Sequence, residues 1–193
     1  YRSQINPNAK KIIADLASEY IQPGCSIYLD AGSTIMAVAQ LLPDKYYNIV
    51  TSATNIATEL SQRSKCNVTI VGGQVNGCTF SCSGLQAEAF INGVNIDIAI
   101  MATSGFSLRN GFTSGHFNEH QLKRKVIEKA KRVVMLMDMS KLNKSMPFTF
   151  AALQNIDVLI CDAPLPGDVM TEAKRYGVKV CTGEKDMKTV RLI

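Results

Sequence analysis

The 193-residue chain is 46% hydrophobic and only 19% charged, which excludes a disordered protein and indicates a buried core. No apolar run approaches the roughly 20 residues that cross a bilayer, and residues 1–6 carry no secretion signal, so we expect no membrane partner. The net charge of +5 is concentrated in residues 120–132, which we interpret as the solvated face of one helix. The sequence therefore does not predict direct DNA binding by this chain.

Six cysteines are scattered along the chain, and several lie in apolar, strand-like runs where a thiol packs as a small core residue. Their spacing matches neither a zinc site nor the disulfide framework of a small secreted domain. We therefore expect reduced thiols, a cytoplasmic protein, and neither a metal nor a cofactor.

In chain order, the sequence first predicts an amphipathic helix over residues 8–21, ended by Pro23 and Gly24. Seven short apolar runs then predict strands at residues 26–30, 48–51, 68–71, 96–101, 132–137, 158–161 and 178–181. Helical segments lie between several of these runs. Because the runs are apolar nearly throughout, helices should cover both of their faces. We predict one α/β domain with a Rossmann-like, mostly parallel sheet and helices on both faces.

Two segments interrupt this alternation. Residues 74–95 contain several glycines and serines, and we interpret them as a loop followed by a short helix at 85–91. Residues 142–152 contain Pro147 and two phenylalanines, a pattern that indicates an added antiparallel strand. Neither segment has the composition of a linker, so we interpret both as excursions from a single domain.

The ends of four predicted strands carry glycine and hydroxyl residues, and ligands bind at this edge of an open parallel sheet. Residues 30–34 suit a phosphate, because glycine lets the backbone approach a ligand and a helix start offers free N–H groups. Each strand-to-helix turn favours such residues for structural reasons, but four turns together favour a site for a polar ligand. Since no nucleoside-triphosphate or dinucleotide motif is present, a small phosphorylated ligand fits better. The candidate ligand residues at these ends are Asp30, Gly32, Ser33, Thr34, Thr51, Ser52, Asn55, Gly72, Gly73, Ser104 and Gly105.

A later segment offers charged candidates. Glu119 and Lys123 stand four residues apart on a predicted helix, and the spacing leaves two interpretations open. The pair is either an exposed ion pair, or Lys123 reaches inward from the edge of the buried stripe. Lys141 follows Asp138 at the end of another predicted strand. No nucleophile or zinc motif accompanies these residues, so they indicate a domain that binds a small anionic ligand.

The ordered set of strand-end motifs resembles one protein family. The set comprises residues 30–34, 51–55, 72–73 and 97–105, then Gly111-x-Thr113, Glu119-x-x-x-Lys123-Arg124 and Asp138-x-Ser140-Lys141. From about residue 10 to residue 182, the chain resembles the C-terminal effector-binding domain of DeoR-family bacterial transcriptional repressors. The resemblance implies a fold shared with ribose-5-phosphate isomerase, glucosamine-6-phosphate deaminase and coenzyme A transferases.

The same resemblance implies a function. A phosphorylated sugar or related metabolite would bind at the strand ends and change the DNA affinity of an N-terminal winged helix-turn-helix domain. We expect that domain to be absent here, residues 1–9 to be a remnant of the linker to it, and residues 10–193 to form the sensor domain. Residues 30–34 and 51–52 would hold phosphate or hydroxyl groups, and Lys123 would neutralise charge. Glu119 and Asp97 would bind sugar hydroxyls.

We expect a regulator rather than an enzyme, with a sugar-phosphate isomerase or deaminase on the same fold as the alternative. Family repressors act as oligomers on paired half-sites, so we also expect a homo-oligomer. Phe80, Phe148 and Phe150 lie in the two excursions. The sequence leaves open whether these rings form an interface or close the domain's own core.

Overall fold

The computed structural model describes residues 6–183, and within this range the chain forms six α-helices and twelve β-strands. The helices are α1 (Pro7–Ser18), α2 (Ser33–Leu41), α3 (Thr54–Ser61), α4 (Leu85–Asn92), α5 (Phe117–Lys129) and α6 (Gly167–Arg175). The strands are β1 (Ser26–Leu29), β2 (Tyr47–Thr51), β3 (Cys66–Ile70), β4 (Gln74–Asn76), β5 (Ser81–Ser83), β6 (Ile98–Ala102), β7 (Gly105–Ser107), β8 (Gly111–Ser114), β9 (Val133–Met137), β10 (Phe148–Ala151), β11 (Val158–Cys161) and β12 (Lys179–Thr182). None of these helices is both long and apolar enough to cross a bilayer.

Seven strands form one wholly parallel sheet in the order β12-β11-β9-β6-β1-β2-β3. They are the seven strands that the apolar runs predict. Strands β2 and β3 extend the sheet from β1 in one direction, and β6, β9, β11 and β12 extend it in the other. The order of the sheet therefore reverses between β1 and β6. Such a reversal leaves a crevice at the carboxyl ends of the two strands.

Both faces of the central strands of the large sheet, β1, β6, β9 and β11, are buried, as their apolar sequences predict. On one face, α1, α2 and α3 pack against Ile27, Leu29 and their neighbours. On the other face, α4, α5 and α6 pack around Tyr28 and the residues beside it. Consecutive residues of a strand point to opposite faces, so β1 contributes to both cores. The mostly parallel α/β class is confirmed.

The two excursions contain more β-structure than the sequence predicts. Residues 74–83 form an antiparallel hairpin, β4–β5, where the sequence predicts only a loop. A second antiparallel sheet has the order β10-β8-β7, and of its strands only β10 is predicted. Each missed strand is three or four residues long. Such a length is too short for a periodic pattern to be recognised.

Helix α1 begins at Pro7, inside the range predicted as linker, and ends at Ser18 rather than at residue 21. Proline is suited to the first turn of a helix, where its missing N–H costs no hydrogen bond. Residues 1–5 and 184–193 lie outside the described residues. The division into a linker at 1–9 and a sensor domain at 10–193 therefore stays a prediction.

The three phenylalanines of the excursions have different surroundings. Phe150 is 5% exposed and packs inside the core, so its ring closes the domain's own core and does not form an interface. The ring of Phe148 is partly buried and lies 5.6 Å from the ring of Phe117. Phe80 is 50% exposed on the hairpin. Of these three rings, Phe80 is the one most available for an interface.

Two adjacent glycines lead into the β4–β5 hairpin, and they differ in what surrounds them. Gly72 and Gly73 have positive φ angles of 76° and 95°. A Cβ at Gly73 would lie 2.5 Å from the carbonyl oxygen of Ser83, whereas a Cβ at Gly72 would meet nothing within 4 Å.

We expect Gly72→Ala to lower the free energy of unfolding by about 1–2 kcal/mol, because only the backbone is strained. Gly73→Ala should lower it by roughly 1–3 kcal/mol more, because the added methyl overlaps Ser83. Urea unfolding of both variants measures the difference. Equal losses would contradict the close approach of the two hairpin strands at this point.

Candidate functional site

Strands β1 and β6 end side by side at the point where the sheet order reverses. Asp30 directly follows β1, and Ala102 is the last residue of β6. Helix α5 packs on the same end of the sheet and brings Lys123 to this point. The crevice between the two strand ends is the place where an α/β sheet of this topology binds a ligand.

A buried ion pair joins Asp30 and Lys123 at the ends of these two strands. Asp30 is 2% exposed and Lys123 is 8% exposed. The carboxylate accepts hydrogen bonds from the Lys123 ammonium, from the Ala31 N–H at 2.8 Å and from the Ala102 N–H at 3.0 Å. Lys123 also donates to the carbonyl oxygen of Ala102 at 2.9 Å. Because each charge is paired and hydrogen-bonded, burial is tolerated and α5 is fixed to the ends of β1 and β6.

The direction of the Lys123 side chain decides between the two interpretations of Glu119 and Lys123. Lys123 points inward, and its Nζ lies 5.1 Å from the centroid of the Phe150 ring. Its ion pair is with Asp30, and Glu119 contacts a different part of the chain. Lys123 therefore reaches inward to Asp30, and it does not form an exposed ion pair with Glu119.

Helix α2 begins three residues after Asp30, and its first N–H groups have no acceptor within the helix. Gly32 precedes the helix with a φ angle of 133°, a conformation that a side chain would strain. Within residues 6–183, the hydroxyls of Ser33 and Thr34 form no hydrogen bond. These N–H and hydroxyl groups together can donate hydrogen bonds to an anionic oxygen.

The turn after β2 uses much of its hydrogen-bonding capacity internally. Thr51 is fully buried, and its hydroxyl accepts a hydrogen bond from the Ala53 N–H at 3.1 Å. The carbonyl oxygen of Ser52 accepts one from the Cys82 N–H at 2.6 Å, which ties the turn to β5. The side-chain oxygen of Asn55 accepts one from the next N–H at 3.0 Å. Thr51 and Asn55 therefore shape the turn, and Ser52 is only 2% exposed and lies beside Tyr28, so the role of these residues as ligand contacts stays a prediction.

Glu119 lies one helical turn before Lys123 and contacts the β4–β5 hairpin. Its Oε1 accepts hydrogen bonds from Thr79 Oγ1 at 2.7 Å and from Ser81 Oγ at 2.5 Å. Neither Thr79 nor Ser81 is a predicted site residue, because the sequence predicts a loop here. The available signal was a set of hydroxyl residues in a segment bounded by glycines.

The glycines at the other two strand ends have structural explanations. Gly73 lies against Ser83, and Gly72 adopts the positive φ angle that leads into the hairpin. A Cβ at Gly105 would lie 2.5 Å from the carbonyl oxygen of Lys144. The N–H of Ser104 donates to the carbonyl oxygen of Thr113 at 3.1 Å. These residues join the large sheet to its excursions, and their role as ligand contacts stays a prediction.

Asp97 lies at the opposite edge of the sheet from the crevice. It precedes β6, and its carboxylate accepts hydrogen bonds from the Lys131 ammonium at 2.7 Å and from the Ser26 N–H at 2.9 Å. Lys131 first, and the Ser26 N–H second, hold the pKa of Asp97 below its ordinary value. Asp97 therefore lies at the end of β6 away from the Asp30–Lys123 pair, and its role in binding sugar hydroxyls stays a prediction.

Lys141 lies at the carboxyl edge but beside β9, two strands away from β1. Its N–H donates to the carbonyl oxygen of Asp138 at 3.0 Å. Lys10 of α1 is buried near Asp138 and Lys141, and burial lowers the pKa of Lys10 while Asp138 partly offsets this effect. No sequence motif pointed to Lys10. This second group of charges is peripheral to the Asp30–Lys123 pair.

Residues 5–163 match the model of one family, the DeoR C-terminal sensor domain. The chain is 34% identical to the HTH-type transcriptional regulator GlpR of Haloferax volcanii, over 92% of this chain and 70% of that protein. It is 29% identical to a putative aga operon transcriptional repressor of Escherichia coli O157:H7, over 93% and 67% of the two chains. It is 30% identical to the HTH-type transcriptional repressor GlcR of Bacillus subtilis, over 92% and 68%. The chain thus spans about two thirds of the length of these relatives.

Solved structures with a similar fold include ribose 5-phosphate isomerase A of Methanocaldococcus jannaschii. The TM-score is 0.52 at 17% identity, over 71% of this chain and 55% of that chain. A D-ribose-5-phosphate isomerase in complex with phospho-erythronic acid gives a TM-score of 0.51 at 17% identity, over 70% and 54%. The chain spans about half the length of these structures. At this level of identity the likeness shows the fold alone.

Proposed function

The chain belongs to the DeoR family, and from that membership we propose that it is the part of a repressor that senses a phosphorylated sugar or a closely related phosphorylated metabolite. The observation that carries the proposal is the buried Asp30–Lys123 pair, which lies at the strand ends where the sheet order reverses, three residues before the start of α2. A charged pair buried at the reversal point of a parallel sheet supports a polar ligand there.

A phosphate group fits the start of α2. Its oxygens would accept hydrogen bonds from the N–H groups that follow Gly32 and from the hydroxyls of Ser33 and Thr34. The helix dipole favours negative charge at this end. Because the charge of Lys123 is already paired with Asp30, its role would be to hold α5 to these strand ends, and the attraction for phosphate would come mainly from α2.

The remainder of the ligand would meet acceptors of hydroxyl groups. Glu119 is partly exposed, lies one turn before Lys123 on α5, and carries a carboxylate that accepts hydrogen bonds. A phosphate cradle at one end and hydroxyl acceptors at the other favour a phosphorylated sugar over a bare phosphate.

The relatives support a link between this ligand and DNA. GlpR, the aga operon protein and GlcR are named as transcriptional regulators or repressors, and they are longer than this chain. We propose that ligand binding in the crevice changes the DNA affinity of the full regulator, which works as a homo-oligomer. Since these relatives are regulators, we expect binding without turnover of the sugar phosphate.

Thermal unfolding with a panel of phosphorylated compounds tests the proposal. The panel contains ribose 5-phosphate, fructose 6-phosphate, glucosamine 6-phosphate and phospho-erythronic acid. Inorganic phosphate is the control, because it lacks the carbon chain and its hydroxyl groups. A ligand present at about 100 times its Kd stabilises the fold by about 2.7 kcal/mol, which raises the Tm measurably. We expect at least one sugar phosphate to do so. No rise with any compound at millimolar concentration would contradict the proposal.

Ser33→Asp separates phosphate binding from stability. An aspartate in the first turn interacts favourably with the helix dipole, so the Tm without ligand should not fall. Its charge repels phosphate, so the rise in Tm with ligand should disappear. Gln86→Glu adds the same charge in the first turn of α4 and should leave the rise unchanged. A Ser33→Asp variant that keeps its ligand would mean that the phosphate binds elsewhere.

A further inference from the structure

The β4–β5 hairpin lies over the turn that follows β2, next to the crevice. The Thr54 N–H donates to the carbonyl oxygen of Phe80 at 2.9 Å, and Ala53 pairs with Ser81 in an antiparallel bridge. Together with the bond from Cys82 to Ser52, these contacts hold the hairpin against the end of β2. Since β2 is the neighbour of β1, the hairpin forms a wall beside Asp30.

Three polar side chains meet where this wall faces α5. Thr79 Oγ1 and Ser81 Oγ are 2.8 Å apart, and both contact Oε1 of Glu119. Ser81 is buried, whereas Thr79 and Glu119 are partly exposed. Two hydroxyls on one carboxylate oxygen fix the orientation of the whole carboxylate, because the second oxygen can then lie in only one direction.

The second carboxylate oxygen of Glu119, Oε2, can accept further hydrogen bonds. A carboxylate offers about four acceptor positions, and among residues 6–183 no hydrogen bond to Oε2 is present. Glu119 precedes Lys123 by four residues on α5, a rise of about 6 Å, so the two side chains project from the same face of the helix.

We propose that Thr79 and Ser81 are positioning residues of the effector site, which hold Glu119 so that Oε2 accepts a hydroxyl group of the ligand. This inference rests on the proposed function. It makes the hairpin the element that distinguishes a phosphorylated polyhydroxy compound from phosphate alone. The phosphate itself binds at α2 and does not depend on the hairpin.

The test compares Thr79→Val and Ser81→Ala with Thr69→Val, which removes a hydroxyl from the exposed strand β3. The probes are inorganic phosphate and the sugar phosphate of the panel that binds the wild type most tightly. We expect each hairpin variant to raise the Kd of the sugar phosphate about tenfold, as for one misplaced hydrogen bond. The Kd of inorganic phosphate should not change. Thr79→Ser should restore the wild-type Kd, and Thr69→Val should not change it.

The double variant Ser81→Ala, Glu119→Gln should bind the sugar phosphate no more weakly than Glu119→Gln alone, because both changes act through one carboxylate. Hairpin variants that bind the sugar phosphate like the wild type would overturn the inference. Variants that bind inorganic phosphate and the sugar phosphate equally weakly would also overturn it, because an equal loss indicates damage to the fold rather than a misplaced Glu119. Failure of the proposed function has a different signature, which is a wild type that binds no sugar phosphate, and it would overturn this inference as well.

Discussion

Asp30→Ala is expected to lower the free energy of unfolding by about 3–5 kcal/mol, because it leaves a buried ammonium without its carboxylate. The loss also removes the acceptor for two backbone N–H groups, at Ala31 and Ala102. Each unsatisfied buried donor adds to the cost. Few single substitutions in this chain should destabilise it more.

Urea unfolding monitored by circular dichroism measures this effect, and a double variant identifies its cause. Asp30→Ala combined with Lys123→Met should be less destabilised than the sum of the two single variants, because no lone charge remains buried. Lys131→Met breaks the exposed pair with Asp97 and should change stability little. An Asp30→Ala protein as stable as the Lys131→Met protein would contradict the buried pair.

Phe112→Ala should lower the free energy of unfolding by about 3–5 kcal/mol, because it empties a fully buried site. The ring of Phe112 lies 4.5 Å from that of Phe106, its partner on the neighbouring strand of the second sheet. Both rings pack into the core beneath α5. The cavity would therefore loosen the second sheet as well as the core.

Phe80→Ala is the matched control for this change. It deletes the same ring from a position that is 50% exposed, so we expect a loss within about 1 kcal/mol. Denaturant midpoints of the two variants, measured under one condition, give the comparison. Similar losses in both would mean that Phe80 is buried by another surface, such as a second copy of the chain.

The central strands of the large sheet, β1, β6, β9 and β11, could be predicted because each is an apolar run buried on both faces. Ile27 and Leu29 serve one core and Tyr28 the other, so the run contains no polar position to obscure it. The hairpin β4–β5 has three-residue strands with exposed positions, such as Val75, and its pairing comes from long-range contacts that no local pattern encodes.

The site was only partly predictable for related reasons. Asp30 and Lys123 were both candidates, yet their contact spans 93 residues, and the spacing from Glu119 to Lys123 fits an exposed pair equally well. Asp97 became a candidate through the family resemblance, and the structure places it just before β6, which begins at Ile98. It lies at the amino end of this strand both in the predicted range, 96–101, and in the structure, so the strand pattern alone gave no reason to place it beside Asp30.

Mapping amide chemical shifts tests most directly whether the ligand binds at the start of α2. The wild-type protein, labelled with ¹⁵N, is titrated with the sugar phosphate of the panel that raises its Tm most. We predict that the amide signals of Gly32, Ser33 and Thr34 move furthest, with smaller changes at Glu119 and Lys123. The largest changes at the opposite edge, around Asp97, or on the surface between α6 and β12, would contradict the account.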